Sequence, residues 1–336
     1  MEYPVSEIQF NQDTSLIEIL EGLFAAISQG NKVEYKDTTY YPVSTDKALK
    51  INGKEGYQFS LNCLACPDKT PITICDAVYN VNNLLISGGW HGIENVFGKE
   101  EVTVEISSGD ATGMFSTYDE LLSRSERYLA ESTDSVRLDH LQKLKPKKVV
   151  IVGNGFSSIE DKEEQATLLK KYRNEENTIF IAVDGGANFL EHCNINPEIC
   201  VGDFDTIDEN LLSRYCSKQS SVIVVPKKHN ENEIDLSLAF NQLKKMGEVP
   251  SKILVHGCCG KPDRLDVTLA NLTTIRDGIG SLPNFDSDTI VALYAKNRYL
   301  QVVISNDGPG IELRDNKRNE VLKIFQPLQN KLCIRH

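Results

Sequence analysis

Two aspartates lie one residue apart in the stretch VGDFDTID, residues 201–208. Asp203 and Asp205 follow a short apolar run and a glycine, at a point where a β-strand is expected to end. Two carboxylates this close repel each other unless water or a cation separates them. The spacing therefore indicates either a solvated turn or a site for a divalent cation.

The second half of the chain places further polar residues after similar apolar runs. These runs are separated mostly by helical patterns, which predicts a parallel sheet covered by helices on both faces. They are KKVVIVGNG, NTIFIAVDGG, EICVGDFD, SVIVVP and KILVHGCCG. Ligands of such sheets bind at the carboxyl ends of the strands, so the residues that follow the runs are the candidate site.

Those residues include glycines, carboxylates and basic side chains on one predicted rim. They are Gly153, Asn154 and Gly155; Asp184, Gly185, Gly186 and Asn188; Asp203 and Asp205; Lys228 and Asp235; and Arg264 and Asp266. Carboxylates suit Mg²⁺, and basic groups and backbone amides suit phosphate oxygens. Together they predict a cation bound with a polyphosphate. Taken singly, a glycine is the usual turn residue, Asp184 could cap a helix, and Arg264 and Asp266 could form a surface pair.

The first third of the chain has a different pattern. Residues 13–30 predict an amphipathic helix with a capping box at Ser15 and Glu18 and a stop at Gly30. Short strand-like runs separated by Gly, Asn, Asp and Pro follow, as in YQFSLNCL and EVTVEIS. This pattern is typical of an antiparallel sandwich or barrel.

The expected fold class is α/β, with a parallel-sheet catalytic domain and a separate antiparallel β-sandwich domain. An N-terminal helical segment (1–31) precedes the sandwich (32–117), and a helical connector (118–146) leads to the α/β domain (147–285). Residues 286–336 form a short β tail whose alternating runs resemble part of the sandwich.

Composition excludes several classes of protein. A net charge of −12 leaves no basic surface for a nucleic-acid backbone, although Mg²⁺ can bridge carboxylates to a nucleotide. No apolar run approaches the roughly 18 residues of a membrane span. The N-terminus lacks the pattern of a signal peptide, and nine scattered cysteines fit reduced thiols, so a cytoplasmic location is expected.

Two common nucleotide motifs fit poorly. VVIVGNGFSSIE begins like a dinucleotide fingerprint, but Ser158 stands at the third glycine position and the following segment is too polar. No Walker A sequence is present, which excludes an ordinary P-loop kinase.

The motifs resemble, in their order, those of the thiamine pyrophosphokinase family. VDGGANFL is similar to the family's Asp-Gly-Gly-Ala-Asn segment, and VGDFDTID to its Gly-Asp-Phe-Asp-Ser segment, with Thr206 in place of serine. DRLDVTLAN resembles the Gly-Arg-x-Asp-His stretch, in which Asp263 and Val267 replace the glycine and histidine. In NENEIDLSLAF, which resembles the Asp-x-Thr-Asp loop, Ile234 replaces the threonine and Asn232 or Glu233 the first aspartate.

The family's β-sandwich, which helps to hold thiamine at a dimer interface, normally follows the catalytic domain. Here the segments that resemble it lie in front: GYQFSLNCLA, DAVYNVNNLLIS and GIENVFGKEEVTVEISSG. The resemblance implies a homodimer with thiamine contacts at Tyr79, Trp90 and Asn95, where an aromatic face would suit the cationic ring. An unrelated β domain is the alternative.

The resemblance also implies the reaction and the roles. Thiamine's alcohol would attack the β-phosphorus of ATP and release AMP, with Mg²⁺ required. Asp184, Asp203 and Asp205 would bind the metal, Asp235 and Asp266 would hold a second ion or accept the proton, and Arg264 would contact the polyphosphate. ATP would also meet Gly153, Asn154, Gly155, Gly185, Gly186, Asn188 and Lys228. The degraded later motifs leave two other hypotheses, a non-catalytic sensor of thiamine or nucleotide and a nucleotide hydrolase.

Overall fold

The chain forms two units, seen in a computed structural model. Contacts group Met1–Ser123, Pro262–Thr273 and Val303–His336 as the first unit, and Arg124–Lys261 and Thr274–Val302 as the second. The structure describes residues 5–6, 14–35, 38–44, 48–65, 70–86, 91–106, 112–118, 146–155, 159–217, 219–227, 234–247, 249–259, 264–283, 285, 289–295, 298–304 and 310–324. Among these residues, no helix combines the length and apolar character that crossing a bilayer would need.

The first unit contains two antiparallel-rich sheets. One has the order β1-β2-β3-β10-β5-β8 and the other β4-β9-β6-β7. The strands are β1 (Val5–Ser6), β2 (Lys32–Tyr35), β3 (Thr38–Ser44), β4 (Leu49–Asn52), β5 (Gln58–Ala65), β6 (Thr70–Cys75), β7 (Val81–Ile86), β8 (His91–Val96), β9 (Glu101–Ile106) and β10 (Thr112–Tyr118).

One hydrophobic core joins the two sheets. Alternate residues of β6 and β9 point inward, as the burial of Ile72, Ile74, Val102 and Val104 shows, and they cluster with Phe59 of the other sheet. Two sheets that share one apolar layer form a sandwich. The predicted antiparallel β-sandwich is therefore confirmed.

Helix α1 (Leu16–Ser28) packs against β2 and β3. Its capping box is present as predicted: the Glu18 backbone N–H donates to Ser15 Oγ at 3.1 Å, and the Ser15 N–H donates to Glu18 Oε2 at 2.6 Å. The helix also contacts β19 (Glu320–Ile324), which forms a hairpin with β18 (Ile311–Asp315) in the same unit. The apolar stripe of α1 thus completes the first unit's core.

The second unit is built on a mostly parallel sheet with the order β14-β13-β12-β11-β15-β16-β17. Its strands are β11 (Lys148–Val152), β12 (Thr178–Val183), β13 (Ile199–Gly202), β14 (Ile223–Pro226), β15 (Lys252–His256), β16 (Ile290–Ala295) and β17 (Arg298–Ile304). The helices between them are α2 (Ile159–Arg173), α3 (Gly186–His192), α4 (Glu209–Tyr215), α5 (Asp235–Met246) and α6 (Leu265–Gly280), of which α6 begins in the first unit.

The five predicted apolar runs all form strands of this sheet, and the predicted α/β fold class is confirmed. The structure differs from the predicted boundary at residue 285, because β16 pairs in parallel with β15 and β17 pairs with β16. The reason is visible in β16 itself, where the consecutive residues 291–294 are all buried. A strand covered on both faces extends the parallel sheet, whereas the predicted tail required alternating burial.

A buried polar network lies at the end of β15. His256 is fully buried, with Nδ1 3.0 Å from Gln165 Oε1 and Nε2 3.2 Å from the Tyr299 hydroxyl. An amide oxygen only accepts, so Nδ1 carries the proton and Nε2 accepts from Tyr299, which in turn accepts from the Tyr172 hydroxyl at 2.6 Å. Burial lowers the pKa of His256 to about 3.

This network predicts a loss of stability in mild acid. The unfolded chain binds a proton near the usual histidine pKa of about 6.5 while the folded chain does not, so stability is full above that pH and falls below it. Between pH 7 and pH 5 we expect His256 to cost about 2 kcal/mol of unfolding free energy. Urea unfolding should show this loss in the wild type and a correspondingly smaller loss in His256→Asn. The exposed His192, replaced by asparagine, is the control, and parallel pH profiles for wild type and His256→Asn would contradict the assignment.

Candidate active site

Three carboxylates converge at the carboxyl ends of β12 and β13. Asp184, Asp203 and Asp205 each offer an oxygen, and these oxygens all lie within 4.8 Å of one another. The two strands are neighbours and parallel, so the residues that follow them meet at one edge. The Asp184 N–H donates to the Val201 carbonyl at 2.8 Å, which holds the two strand ends together. The sequence-predicted trio is therefore assembled in one place.

Unusual backbone conformations bring the trio together. Asp184 has φ +45° and Phe204 has φ +63°, the left-handed region that costs an L-residue roughly 1–2 kcal/mol. The Phe204 side chain is fully buried in the core, so packing compensates the strain while Asp203 and Asp205 stay half-buried. Gly202, at φ +144°, leaves room for Asp184, because a Cβ there would lie 3.0 Å from the Asp184 Cβ. The strain is thus located at the carboxylates.

Asp184 has one carboxylate oxygen that is buried. The Thr206 hydroxyl donates a short hydrogen bond to Asp184 Oδ2, whereas the buried Oδ1 has no hydrogen-bond partner among the described residues. Burial raises the pKa of Asp184, the Thr206 and Gly185 hydrogen bonds oppose that shift, and the charge of Asp203 adds to it. A buried carboxylate oxygen without a donor, beside two further carboxylates, fits a hard divalent cation.

Asn188 ties the two acidic loops together. Its Nδ2 donates to the Thr206 carbonyl at 2.9 Å, and its Oδ1 accepts from the Asp208 N–H at 2.8 Å. Asp208 in turn caps α4 by accepting from the Leu211 N–H at 3.0 Å. The amide predicted to contact ATP is therefore engaged in holding the loop of Asp205 and Thr206 against α3.

The predicted phosphate-binding glycines have packing roles in the structure. Gly186 is buried, and a Cβ on it would lie 1.9 Å from the Val152 carbonyl oxygen; on Gly185 it would lie 2.5 Å from Thr206 Oγ1. After β11, the N–H groups of Gly153 and Gly155 donate to the carbonyls of residues 256 and 257 at 2.8 and 2.6 Å. Asn154, between them, is exposed. Their contact with ATP stays a prediction.

Asp235 opens α5 and pairs with a lysine that the sequence interpretation did not select. Lys227 Nζ lies 3.3 Å from Asp235 Oδ1, with the side chains 19% and 21% exposed. Burial raises the pKa of Asp235 to about 7, Lys227 opposes the shift, and the charges of Asp203 and Asp184 add to it. These carboxylates therefore act on one another electrostatically. Lys228, the predicted ATP ligand, lies outside the described residues.

Arg264 and Asp266 belong to the first unit, where Asp266 is fully buried. The guanidinium donates from Nε and Nη2 to the two carboxylate oxygens at 3.2 and 3.3 Å, and Ser60 Oγ donates to Oδ2 at 3.0 Å. Asn62 Nδ2 also donates to the Asp266 carbonyl at 3.3 Å. The alternative of an exposed surface pair is therefore wrong, and Asp266 anchors the start of α6 on β5.

Two of the three predicted thiamine contacts, Tyr79 and Asn95, lie in or near the sandwich strands. Tyr79 is 59% exposed, and the buried Asn95 clamps it: Oδ1 accepts from the Tyr79 N–H at 3.2 Å and Nδ2 donates to its carbonyl at 2.9 Å. Asn95 thus shapes the turn that presents the tyrosine. Trp90 lies outside the described residues, and thiamine binding by these side chains stays a prediction.

Two of the site's interactions had weak signals in the sequence. Thr206 stands where the resembled motif has serine, and only the structure shows that its hydroxyl bonds Asp184. Lys227 precedes Lys228 directly, and the sequence offered no ground for choosing between them. Ser60 is more than two hundred residues from Asp266, so no local pattern could have joined them.

The chain thus contains an α/β unit with an acidic edge suited to a cation, and a β-sandwich unit. The family model of the thiamin pyrophosphokinase catalytic domain matches residues 170–278. This segment contains Asp184, Asp203, Asp205, Asp235 and Asp266, and it is similar to the catalytic domain of that family. The match covers less than half of the chain, and the predicted order of the domains stays a prediction.

The comparison with solved structures found partial matches at low identity. The thiamine pyrophosphokinase of Bacillus subtilis is 22% identical with a TM-score of 0.36, and the match covers 51% of this chain and 70% of that one. The thiamin pyrophosphokinase of Candida albicans is 15% identical with a TM-score of 0.34, and the match covers 54% of this chain and 69% of that one. The thiamin pyrophosphokinase of Geobacillus thermodenitrificans is 12% identical with a TM-score of 0.26. That match covers 32% of this chain and 50% of the other, so this chain spans half of that relative. No curated protein sequence matches the chain.

We predict that Gly186→Ala destabilises the second unit severely. The new methyl group would meet the Val152 carbonyl, which belongs to the backbone of a central strand and has no room to withdraw. Denaturant unfolding should show a loss of at least about 2 kcal/mol. Gly280→Ala is the control: nothing lies within 4 Å of its Cβ, so it should be neutral or stabilise by up to about 1 kcal/mol. Equal stabilities of the two variants would contradict the packing role.

Proposed function

We propose that the chain transfers a diphosphate group from ATP to thiamine and yields thiamine diphosphate and AMP. The observation that carries this proposal is the convergence of Asp184, Asp203 and Asp205 within 4.8 Å, inside the segment that matches the family. Phosphoryl-type transfers depend mainly on alignment and neutralisation of charge, and such a cluster is suited to that task. The homodimer, which the family resemblance implies, and the cytoplasmic location, which fits the scattered cysteines, are further proposals.

The acidic trio would hold Mg²⁺. Its donors are carboxylate oxygens, which Mg²⁺ prefers, and the buried Asp184 Oδ1 without a hydrogen-bond partner supports the assignment. When bound, the ion would neutralise polyphosphate charge and orient the nucleotide. The chain itself would keep the three carboxylates in place through the Asn188 clamp, the Thr206 hydrogen bond and the buried Phe204.

The bond changes in the transfer are simple. The oxygen of thiamine's primary alcohol forms a bond to the β-phosphorus of ATP, and the bond between that phosphorus and the oxygen bridging to the α-phosphate breaks. AMP leaves with that oxygen, and the alcohol loses its proton. Asp235 is our candidate for the proton acceptor, because a carboxylate with a pKa near 7 is matched to neutral solution. Arg264 would contact the polyphosphate, as the family resemblance implies, held in orientation by Asp266.

A non-catalytic sensor of thiamine or a nucleotide is the second candidate. The observation in its favour lies at the start of α5, where Ile234 occupies the N-cap and makes no side-chain hydrogen bond. The family's threonine at this position has a hydroxyl that Ile234 lacks, so this chain gives up a polar group beside Asp235. A sensor would keep the binding site and lose turnover.

Product analysis distinguishes these functions. The full-length protein is incubated with thiamine, ATP and Mg²⁺, and the products are separated and identified. Thiamine diphosphate with AMP in equal amounts is the expected result. Nucleotide hydrolysis that does not depend on thiamine would support the hydrolase, and saturable binding of thiamine or ATP without product would support the sensor.

In the same assay, Asp203→Asn should lower the rate of product formation by about 100-fold or more, because the amide removes one negative charge from the cation site. The matched control is Asp208→Asn, five residues further along the chain. Asp208 caps α4, and asparagine caps a helix equally well, so this variant should retain the wild-type rate. Circular dichroism checks that both variants are folded. Wild-type turnover in Asp203→Asn at saturating Mg²⁺ would refute the metal assignment.

A further inference from the structure

Lys227 is fixed at the acidic edge by its backbone. It directly follows β14, and its N–H donates to the Gly202 carbonyl at 2.8 Å. Gly202 is the residue before Asp203, so this hydrogen bond sets the base of the lysine side chain beside the loop that carries two of the trio's carboxylates. A lysine in an exposed loop without such a backbone hydrogen bond would not have its Cα held in one place.

The Lys227 ammonium forms an ion pair with Asp235. Nζ lies 3.3 Å from Asp235 Oδ1, and both side chains are about four-fifths buried, at 19% and 21% exposure. Ion pairs that are partly removed from water interact more strongly than exposed ones, because the effective dielectric is lower and salt screens them less. The pKa of Asp235 also responds to the charges of Asp203 and Asp184, so the pair lies within the electrostatic field of the trio.

We infer that Lys227 is a built-in cation of this site, which neutralises Asp235 so that the site takes one divalent ion, at Asp184, Asp203 and Asp205. The inference rests on the proposed function and deepens it, since the sequence left open whether Asp235 holds a second ion. A second divalent ion beside Asp235 would meet the ammonium at short range, and like charges there repel. A tethered ammonium also binds phosphate oxygens as a point charge, so it would meet the polyphosphate from this side.

Titration with Mn²⁺ tests the inference without substrates. The full-length protein is titrated in the absence of thiamine and nucleotide, and the electron paramagnetic resonance signal of free Mn²⁺ gives the number of bound ions. We expect one tight ion per chain in the wild type. Lys227→Met should bind a second ion at least about tenfold more tightly than the wild type does, because Asp235 is then unneutralised. Lys227→Arg, which keeps the charge, should behave as the wild type.

The controls locate the effect. Lys244→Met removes an equal charge from an exposed position on α5 and should leave the ion count at one. Asp203→Asn should weaken the single tight ion, and circular dichroism checks that each variant is folded. Two ions of similar affinity in the wild type, no tight ion in the wild type, or the same count in Lys227→Met and Lys244→Met would each overturn the inference. A failure of the proposed function would be seen in a separate experiment, as the absence of thiamine diphosphate in the product analysis.

Discussion

Mutual repulsion of three carboxylates is the constraint around which the second unit's functional edge is organised. Oxygens of Asp184, Asp203 and Asp205 lie within 4.8 Å of one another, and in a partly buried setting this arrangement is unfavourable without a compensating charge. Burial is the main cause of the raised pKa values of Asp184 and Asp235, and the charges of the neighbouring aspartates add to it. Left-handed backbone at Asp184 and Phe204 is a further unfavourable feature. Under the proposed function, a bound cation would relieve this repulsion.

The stabilising interactions come from residues that do not carry the chemistry. The buried Phe204 fixes the strained turn, Gly202 admits the close approach of Asp184, and the Asn188 amide joins the two loops. Gly186 allows α3 to begin directly against β11. The glycine- and asparagine-rich motif is therefore explained first by packing and loop attachment. Under the proposed function, the motif would serve nucleotide binding by placing these carboxylates.

In the first unit, a buried carboxylate is likewise held by residues around it. Asp266 has no exposure, and Ser60, Arg264 and Asn62 satisfy it and its backbone. A buried charge is tolerated only when it is paired and hydrogen-bonded, so the start of α6 is attached firmly to the β-sandwich. The segment that resembles a catalytic motif is thus structurally a part of the sandwich unit.

The sequence determined the elements with local signatures. Apolar runs ending in glycine or aspartate gave the parallel strands, the alternation in residues 70–75 and 101–106 gave the sandwich, and Ser15 with Glu18 gave the start of α1. The acidic trio was also predictable, because carboxyl ends of parallel strands must share an edge. Only the tertiary structure decided which lysine meets Asp235, which hydroxyl meets Asp184 and Asp266, and that β16 extends the sheet. Periodicity within a strand or helix reports which face is buried, but a contact between side chains far apart in the chain depends on how whole elements pack, and no local pattern encodes that.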